Sequence, residues 1–278
     1  MTGAVSLNAT ALNGDAAELN GDEAVHQRAD AVLRRLACRA LGLTGADIER
    51  LVREARQRAR REQRRLTYAD LDHLLSASRP TISPHHRRRM AVHEAGHALA
   101  RIVLGVGELK VITIDSVEGG YTEVFSSSLE HDLIDTAESC QRHLVVTMAG
   151  RAAEQVAFGS AHAGSGGSMH SDLARATELA TAMETSFGFG THLPLLYRDP
   201  THWQSLIRQD KRLARRVHRR LERAEASARR MINRHRIQLD MIAAALKAHG
   251  TLEGPELAAL VERVRAAVTC RTGTGVAC

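Results

Sequence analysis

The stretch His93-Glu94-Ala95-Gly96-His97 is the most informative part of this sequence, and it lies within a segment of helical periodicity. Two histidines four residues apart lie on one face of a helix, so both imidazoles can reach a single metal ion. Zinc accepts neutral imidazole nitrogens at about 2.0–2.1 Å. Glu94 stands beside His93 and is placed to accept a proton from a metal-bound water. The motif therefore predicts a zinc site with His93 and His97 as ligands and Glu94 as catalytic base.

The segment around the motif has recognisable helix boundaries. Ser83-Pro84 marks a start, because proline is tolerated in the first turn of a helix, and Gly105 marks an end. Gly96 costs roughly 1 kcal/mol relative to alanine inside a helix, which indicates that another element packs closely against the backbone there. The apolar side at helical spacing consists of Met90, Val92, Ala95, Leu99, Ile102 and Val103. We therefore expect a long and largely buried helix.

Composition favours a helical protein. The chain has 278 residues, enough for one or two domains, and only 3% of them are aromatic. No apolar stretch approaches the roughly 18 residues of a membrane-spanning helix, and the first twenty residues lack the features of a signal peptide. The cysteines have no C-x-x-C spacing and are typical of reduced intracellular thiols; they are Cys38, Cys140, Cys270 and Cys278. A soluble cytoplasmic protein is the expectation.

The sequence pattern predicts three parts. Residues 1–20 are expected to form a flexible tail, residues 21–78 a small helical domain, and residues 79–278 the larger domain that contains the motif. Helices of the small domain are predicted at 24–41, 44–62 and 67–75, the last with Thr67 as N-cap and Asp70 at the third position.

The larger domain is predicted to be mainly α with a small β-hairpin or sheet. Two strands, at 109–114 and 121–125, are expected to flank a turn at Gly119-Gly120. The other predictions are a helix at 129–158, a Gly/Ser-rich loop at 159–167, a helix at 171–186, an irregular segment at 187–200, helical structure at 203–249 with a break near Asn233, and a helix at 254–268.

A third protein ligand is expected, because a catalytic zinc ion usually has three such ligands and one open position for water. The residues alone do not select it. The candidates are Asp115, Glu118, Glu123, Asp132, Asp135, His143, Glu154, His162, His170 and Asp172. Asp172 also has a simpler interpretation, because an acid in the first turn of a helix stabilises the helix dipole without any metal.

A series of short segments after the motif carries a second signal. They are Ala149-Gly150-Arg151-Ala152-Ala153-Glu154, Phe158-Gly159, Ser171-Asp172-Leu173, Ala176-Thr177-Glu178-Leu179-Ala180, Met183, Phe187-Gly188 and Leu195-Leu196-Tyr197. With residues 91–98 they resemble, in order and spacing, the FtsH-type ATP-dependent zinc metalloproteases over most of residues 85–268. In that family the aspartate that opens the later helix completes the zinc site, and by position it is Asp172 in this chain. The resemblance implies a zinc metalloendopeptidase that binds one Zn²⁺ per chain through His93, His97 and Asp172.

The small N-terminal domain resembles the same family. Gly42-Leu43-Thr44-Gly45-Ala46-Asp47-Ile48 and the following helix look like the helical lid of the AAA+ ATPase module that precedes the peptidase. No G-x-x-x-x-G-K-[ST] loop is present, so no nucleotide site is expected in this chain. The resemblance then implies a peptidase without its motor, which cuts flexible or unfolded polypeptides or is served by a separate AAA+ ATPase. Family members form hexamers, which implies a homo-oligomer.

One local departure from the family concerns His170. The loop before Asp172 reads Gly166-Gly167-Ser168-Met169-His170-Ser171, whereas the family has a Gly-Ala-Ser-Asn-like run there. His170 stands where a small polar residue is expected, so it either perturbs the site or adds a contact.

Two other functions are open at this point. The first is a catalytically weak or inactive adaptor or regulator that binds a partner ATPase, although a structural zinc site has no need of the base Glu94. The second is nucleic-acid binding, because residues 207–236 hold twelve Lys/Arg against three acids. That segment has no aromatic residues for base stacking, and its apolar stripe through Leu213 and Val217 indicates an ordinary solvated helix face. The hairpin at Gly119-Gly120 is either a strand edge for an extended peptide or a purely structural feature.

Overall fold

The computed structural model of the protein describes residues 32–33, 36–37, 39–40, 43–77, 82–116, 119–123 and 136–272. The chain forms two compact units, Met1–Pro80 and Thr81–Cys278. The tail predicted at 1–20, most of the helix predicted at 24–41, and residues 124–135 lie outside the described part of the chain.

The first unit contains helices α1 (Gly45–Arg61) and α2 (Tyr68–Ala77). Thr44 and Asp47 form a capping box at the start of α1, each side chain accepting the backbone N–H of the other residue. At the start of α2, the Asp70 side chain accepts the N–H of Thr67 at 2.8 Å. Both predicted helix starts are confirmed. The apolar cluster between the helices includes Leu51, Ala55, Leu74 and Leu75.

The second unit begins with the motif helix α3 (Pro84–Leu104), which starts and ends where the sequence predicts. The Ser83 side chain accepts the N–H of His86 at 3.2 Å, and Pro84 occupies the first turn, where no backbone donor is needed. Gly105 ends the helix with a φ of 64°, a left-handed conformation that favours glycine. The apolar side predicted for α3 is buried at Met90, Val92, Ala95 and Leu99.

A small antiparallel sheet has the strand order β2-β1-β3. Its strands are β1 (Val111–Ser116), β2 (Gly119–Glu123) and β3 (Thr251–Glu253). The predicted pair of strands is present, but Gly119 and Gly120, predicted as the turn, instead begin β2. The third strand was not predicted, because it is three residues long and stands between two helical segments.

Further helices complete the second unit, so the mainly α fold with a small sheet is confirmed. They include α4 (Ala137–Phe158), α5 (Asp172–Thr185), α6 (Trp203–Gln209), α7 (Lys211–Arg234), α8 (Arg236–His249) and α9 (Gly254–Thr272). The segment predicted at 203–249 breaks at His235, close to the predicted place, and also at Asp210. There the Asp210 side chain accepts the N–H of Leu213 at 2.9 Å and starts a new helix. None of the described helices is both long and apolar enough to cross a membrane.

Helix α3 packs against α4 and α8, and α4 in turn packs against α5 and α7. Small residues bring α3 and α4 close together. A Cβ on Gly96 would lie 2.5 Å from the carbonyl oxygen of Ala149 and 2.7 Å from the Cβ of Ala153. The close approach predicted from this glycine is therefore confirmed, and it places α4 directly beside the motif.

Replacing Gly96 with alanine is expected to lower the free energy of unfolding by about 1–2 kcal/mol. The added methyl would overlap the backbone of α4, which outweighs the helix-forming advantage of alanine. Urea unfolding followed by circular dichroism measures the change. Gly45→Ala is the control, because its methyl would meet nothing within 4 Å. Equal or greater stability of Gly96→Ala would show that α3 and α4 are not in this contact.

Candidate metal centre

Two helices deliver the predicted ligands to one place. Helix α3 carries His93 and His97 one turn apart, and α5 begins with Asp172. The hydroxyl of Ser171 accepts the N–H of Ala174 at 3.4 Å and donates to the carbonyl oxygen of Ser168 at 2.7 Å. This cap fixes the first turn of α5 and thereby the position of Asp172.

The donor atoms of these three residues are close together. His93 Nε2 and His97 Nε2 are 3.1 Å apart, and Asp172 Oδ2 lies 3.0 Å from the first and 3.4 Å from the second. Ligand atoms placed tetrahedrally at about 2.0–2.1 Å from zinc would be about 3.3 Å from one another. Within the described part of the chain, no other group of three or more His, Cys, Asp or Glu residues has this arrangement. The donor set therefore fits a zinc ion.

The outer nitrogen of each histidine ring is hydrogen-bonded to α4. His93 Nδ1 lies 2.8 Å from Glu154 Oε1, and His97 Nδ1 lies 2.8 Å from the carbonyl oxygen of Val146. A carboxylate and a carbonyl can only accept, so both rings donate from Nδ1 and leave Nε2 free to bind a metal. Glu154 was a candidate for the third ligand, but it instead binds the outer nitrogen of His93 and orients that ring.

Gly150 on α4 leaves room for the donor atoms. A Cβ at this residue would lie 2.4 Å from His97 Nε2 and 2.6 Å from His93 Nε2. A side chain at this position would fill the space beside the metal-facing nitrogens. Glycine within a helix costs roughly 1 kcal/mol relative to alanine, and this contact gives the reason for it. The role of Gly150 was not predicted; its signal in the sequence is a glycine inside a predicted helix.

Carboxylates surround His93 and favour a positive charge there. Burial alone would lower the pKa of His93, but its hydrogen bonds to Asp172 and Glu154, with the nearby charge of Glu94, raise it to about 10. Burial would raise the pKa of Asp172, yet the charge of His97 and the hydrogen bonds from both histidines hold it well below its usual range. The carboxylates around His93 therefore favour positive charge at its ring, which a bound metal ion would also supply.

Glu94 is buried, with 4% of its surface exposed, and it follows His93 directly on α3. Its charge helps to raise the pKa of His93, its neighbour in the chain. A carboxylate in this place has the chemistry of a general base for a water molecule held at the cluster.

The other candidate ligands have different partners or lie at the surface. Asp115 is paired with Arg87 at 2.6 Å, and the Nδ1 atom of His143 is bonded to the carbonyl oxygen of Ser139 at 2.9 Å. His162 and His170 do not belong to the donor cluster, and His170 is exposed. The structure does not describe the side chains of Glu118, Glu123, Asp132 and Asp135.

Comparison with known proteins agrees with the site. The pattern of peptidase family M41 matches residues 80–260. The chain belongs to peptidase family M41. It is 31% identical over 241 residues to the ATP-dependent zinc metalloprotease FtsH 2 of Symbiobacterium thermophilum. The alignment covers 81% of this chain and 40% of that protein. It is 32% identical over 234 residues to FtsH of Neorickettsia risticii, covering 80% of this chain and 36% of that protein.

A third M41 relative, FtsH 3 of Sphaerobacter thermophilus, is 32% identical over 245 residues, which cover 84% of this chain and 48% of that protein. It also bears the name ATP-dependent zinc metalloprotease. The matched part amounts to less than half the length of each of these relatives. The family predicted from the motif and the later segments is thus confirmed.

Replacing Gly150 with alanine is expected to weaken the binding of added Zn²⁺ at least about tenfold. The new methyl would overlap both Nε2 atoms, so the rings would have to turn away from their partners on α4. Competition with a chromogenic chelator measures the affinity.

The matched control for this test is Gly164→Ala, whose methyl would meet nothing closer than His162 Nδ1 at 3.4 Å. Equal zinc affinities of the two variants would show that Gly150 does not face the metal-binding nitrogens.

Proposed function

We propose that this chain is a zinc-dependent metalloendopeptidase that hydrolyses peptide bonds in flexible or unfolded polypeptides. The observation that carries the proposal is the convergence of His93, His97 and Asp172, together with the buried Glu94, which follows His93 directly on α3. The names of the M41 relatives, which are zinc metalloproteases, support the same chemistry. The three donors would hold one Zn²⁺ and leave a fourth position for water.

The proposed reaction divides the work between the metal and the protein. A bound zinc ion supplies Lewis acidity, which polarises the scissile carbonyl and lowers the pKa of water toward neutrality. Glu94 accepts a proton from the attacking water and delivers it to the leaving amine. Glu154 and the carbonyl of Val146 hold the histidine rings in the tautomer that binds metal.

The edge of the sheet supports polypeptides as substrates. Among the described residues, strand β2 lies at one edge of the order β2-β1-β3, and it packs against α3, the helix that carries the motif. An extended peptide can add to such an edge as a further strand, bound mainly through its backbone. Recognition through the backbone requires an unfolded segment rather than one particular side chain.

The same proposal includes the domain organisation of the chain, an ATPase partner and the oligomeric state. The relatives are named as ATP-dependent, whereas this sequence has no G-x-x-x-x-G-K-[ST] loop. Residues 1–20 would be a tail, residues 21–78 a lid-like domain and residues 79–278 the peptidase domain. An AAA+ ATPase that unfolds stable substrates is a further part of the proposal, in line with the ATP-dependent names of the relatives. A homo-oligomer, a hexamer by family resemblance, is part of this proposal.

The basic segment at 207–236 does not favour nucleic-acid binding. Leu213 and Val217 are buried, which confirms the apolar stripe predicted for α7. Arg216 and Arg220 bind the buried carboxylate of Glu184 at 3.0 and 2.6 Å. Part of this charge therefore stabilises the fold rather than facing a partner.

The variant Glu94→Gln is expected to retain zinc but to lose casein cleavage by at least about 100-fold, because an amide cannot accept the proton of water. Zinc content is measured by mass spectrometry, and cleavage is measured without ATP, with and without a chelator.

Glu178→Gln is the control for this variant, since Glu178 is an exposed residue of α5 that does not belong to the donor cluster. Cleavage by Glu94→Gln at the wild-type rate would contradict the proposal. Wild-type cleavage that a chelator does not inhibit would do the same.

A further inference from the structure

Arg89 lies one turn before His93 on α3 and binds the carboxylate that orients His93. Its Nη2 atom donates to Glu154 Oε2 at 3.0 Å and to the carbonyl oxygen of Ser160 at 2.6 Å, and its Nε atom donates to Glu154 Oε2 at 3.3 Å. The Arg89 side chain is 12% exposed and that of Glu154 is 3% exposed. This ion pair is therefore largely shielded from water.

Glu154 is shared between several partners. Its Oε1 atom accepts from His93 Nδ1 at 2.8 Å, and its Oε2 atom accepts the backbone N–H of His162 at 2.8 Å in addition to Arg89. A buried carboxylate is costly unless a cation compensates it. The imidazole that binds a metal is neutral, so Arg89 supplies the positive charge that Glu154 needs in the metal-bound site.

The same ion pair holds the loop that leads to Asp172. Ser160 and His162 belong to the segment between α4 and α5, and both are bound through their backbone by Arg89 or Glu154. The guanidinium lies over the ring of Phe158, 4.7 Å from its centroid, and this cation–π contact helps to hold it in place. Arg89 is thus connected both to the ring of one proposed ligand and to the segment before another.

We propose that Arg89 is a positioning residue for the metal site: it holds Glu154, and through it the ring of His93 and the loop that precedes Asp172. The inference rests on the proposed zinc function and deepens it. The neighbouring arginines differ. Arg87 is paired with Asp115, and Arg88 shares the Phe158 ring, 5.5 Å from its centroid, but has no hydrogen bond to Glu154 among those of the described residues.

The test compares Arg89→Met and Arg89→Lys with the control Arg88→Met. Each zinc-loaded protein is mixed with an excess of chelator, and the rate of zinc release is measured. Arg89→Met is expected to release zinc about 10–100-fold faster than the wild type, as other losses of an outer partner do. The zinc-release rate of Arg89→Lys should lie between those of the wild type and Arg89→Met, because lysine keeps the charge but lacks the planar fork of donors. Arg88→Met should match the wild type.

Thermal unfolding of the same zinc-loaded proteins separates positioning from general stability. A residue that only stabilises the fold would lower the unfolding temperature and leave zinc release from the folded protein unchanged. Zinc release at the wild-type rate from folded Arg89→Met would overturn the inference. If Arg89→Met does not fold, the zinc-release rate of folded Arg89→Lys is used instead, and a rate equal to that of the wild type would overturn the inference. A wild-type protein that binds no zinc would instead refute the proposed function itself.

Discussion

The hydrogen bonds from the outer nitrogens of His93 and His97 to α4 are the contacts on which the rest of the site depends. They fix the tautomer of both rings and direct both Nε2 atoms towards Asp172. They require α3 and α4 to lie very close together, which the missing side chain of Gly96 permits. Gly150 then leaves space for the donors on the side that faces α4. The packing of α3 against α4 and the geometry of the proposed metal site therefore depend on the same contacts.

Features that depend on local chemistry could be predicted from the sequence. Ser83, Gly105 and Ser171 mark helix boundaries because a cap acts on backbone groups within one turn. The pairing of His93 with His97 follows in the same way from the helical repeat. The missed break at Asp210 is also a local cap, but it stood inside a continuous apolar pattern typical of a single helix.

Features that depend on distant contacts could not be predicted in the same way. Glu154 is 61 residues from His93 and 65 from Arg89 along the chain, so nothing in the local pattern joins them. Strand β3 exists because it pairs with β1, more than a hundred residues earlier. Asp172 was one of ten candidates until the resemblance to a family selected it. The fold brings it within 3.4 Å of both Nε2 atoms.

X-ray absorption spectroscopy of the zinc-loaded protein tests the proposed metal centre most directly, because it reports the atoms bound to the metal. We predict two imidazole nitrogens and oxygen ligands at about 2.0–2.2 Å, with one imidazole lost in each of His93→Ala and His97→Ala. A sulfur shell at about 2.3 Å would show that a cysteine binds the metal instead. A spectrum with no imidazole would place the zinc away from the motif. Either result would contradict a zinc centre built from His93, His97 and Asp172.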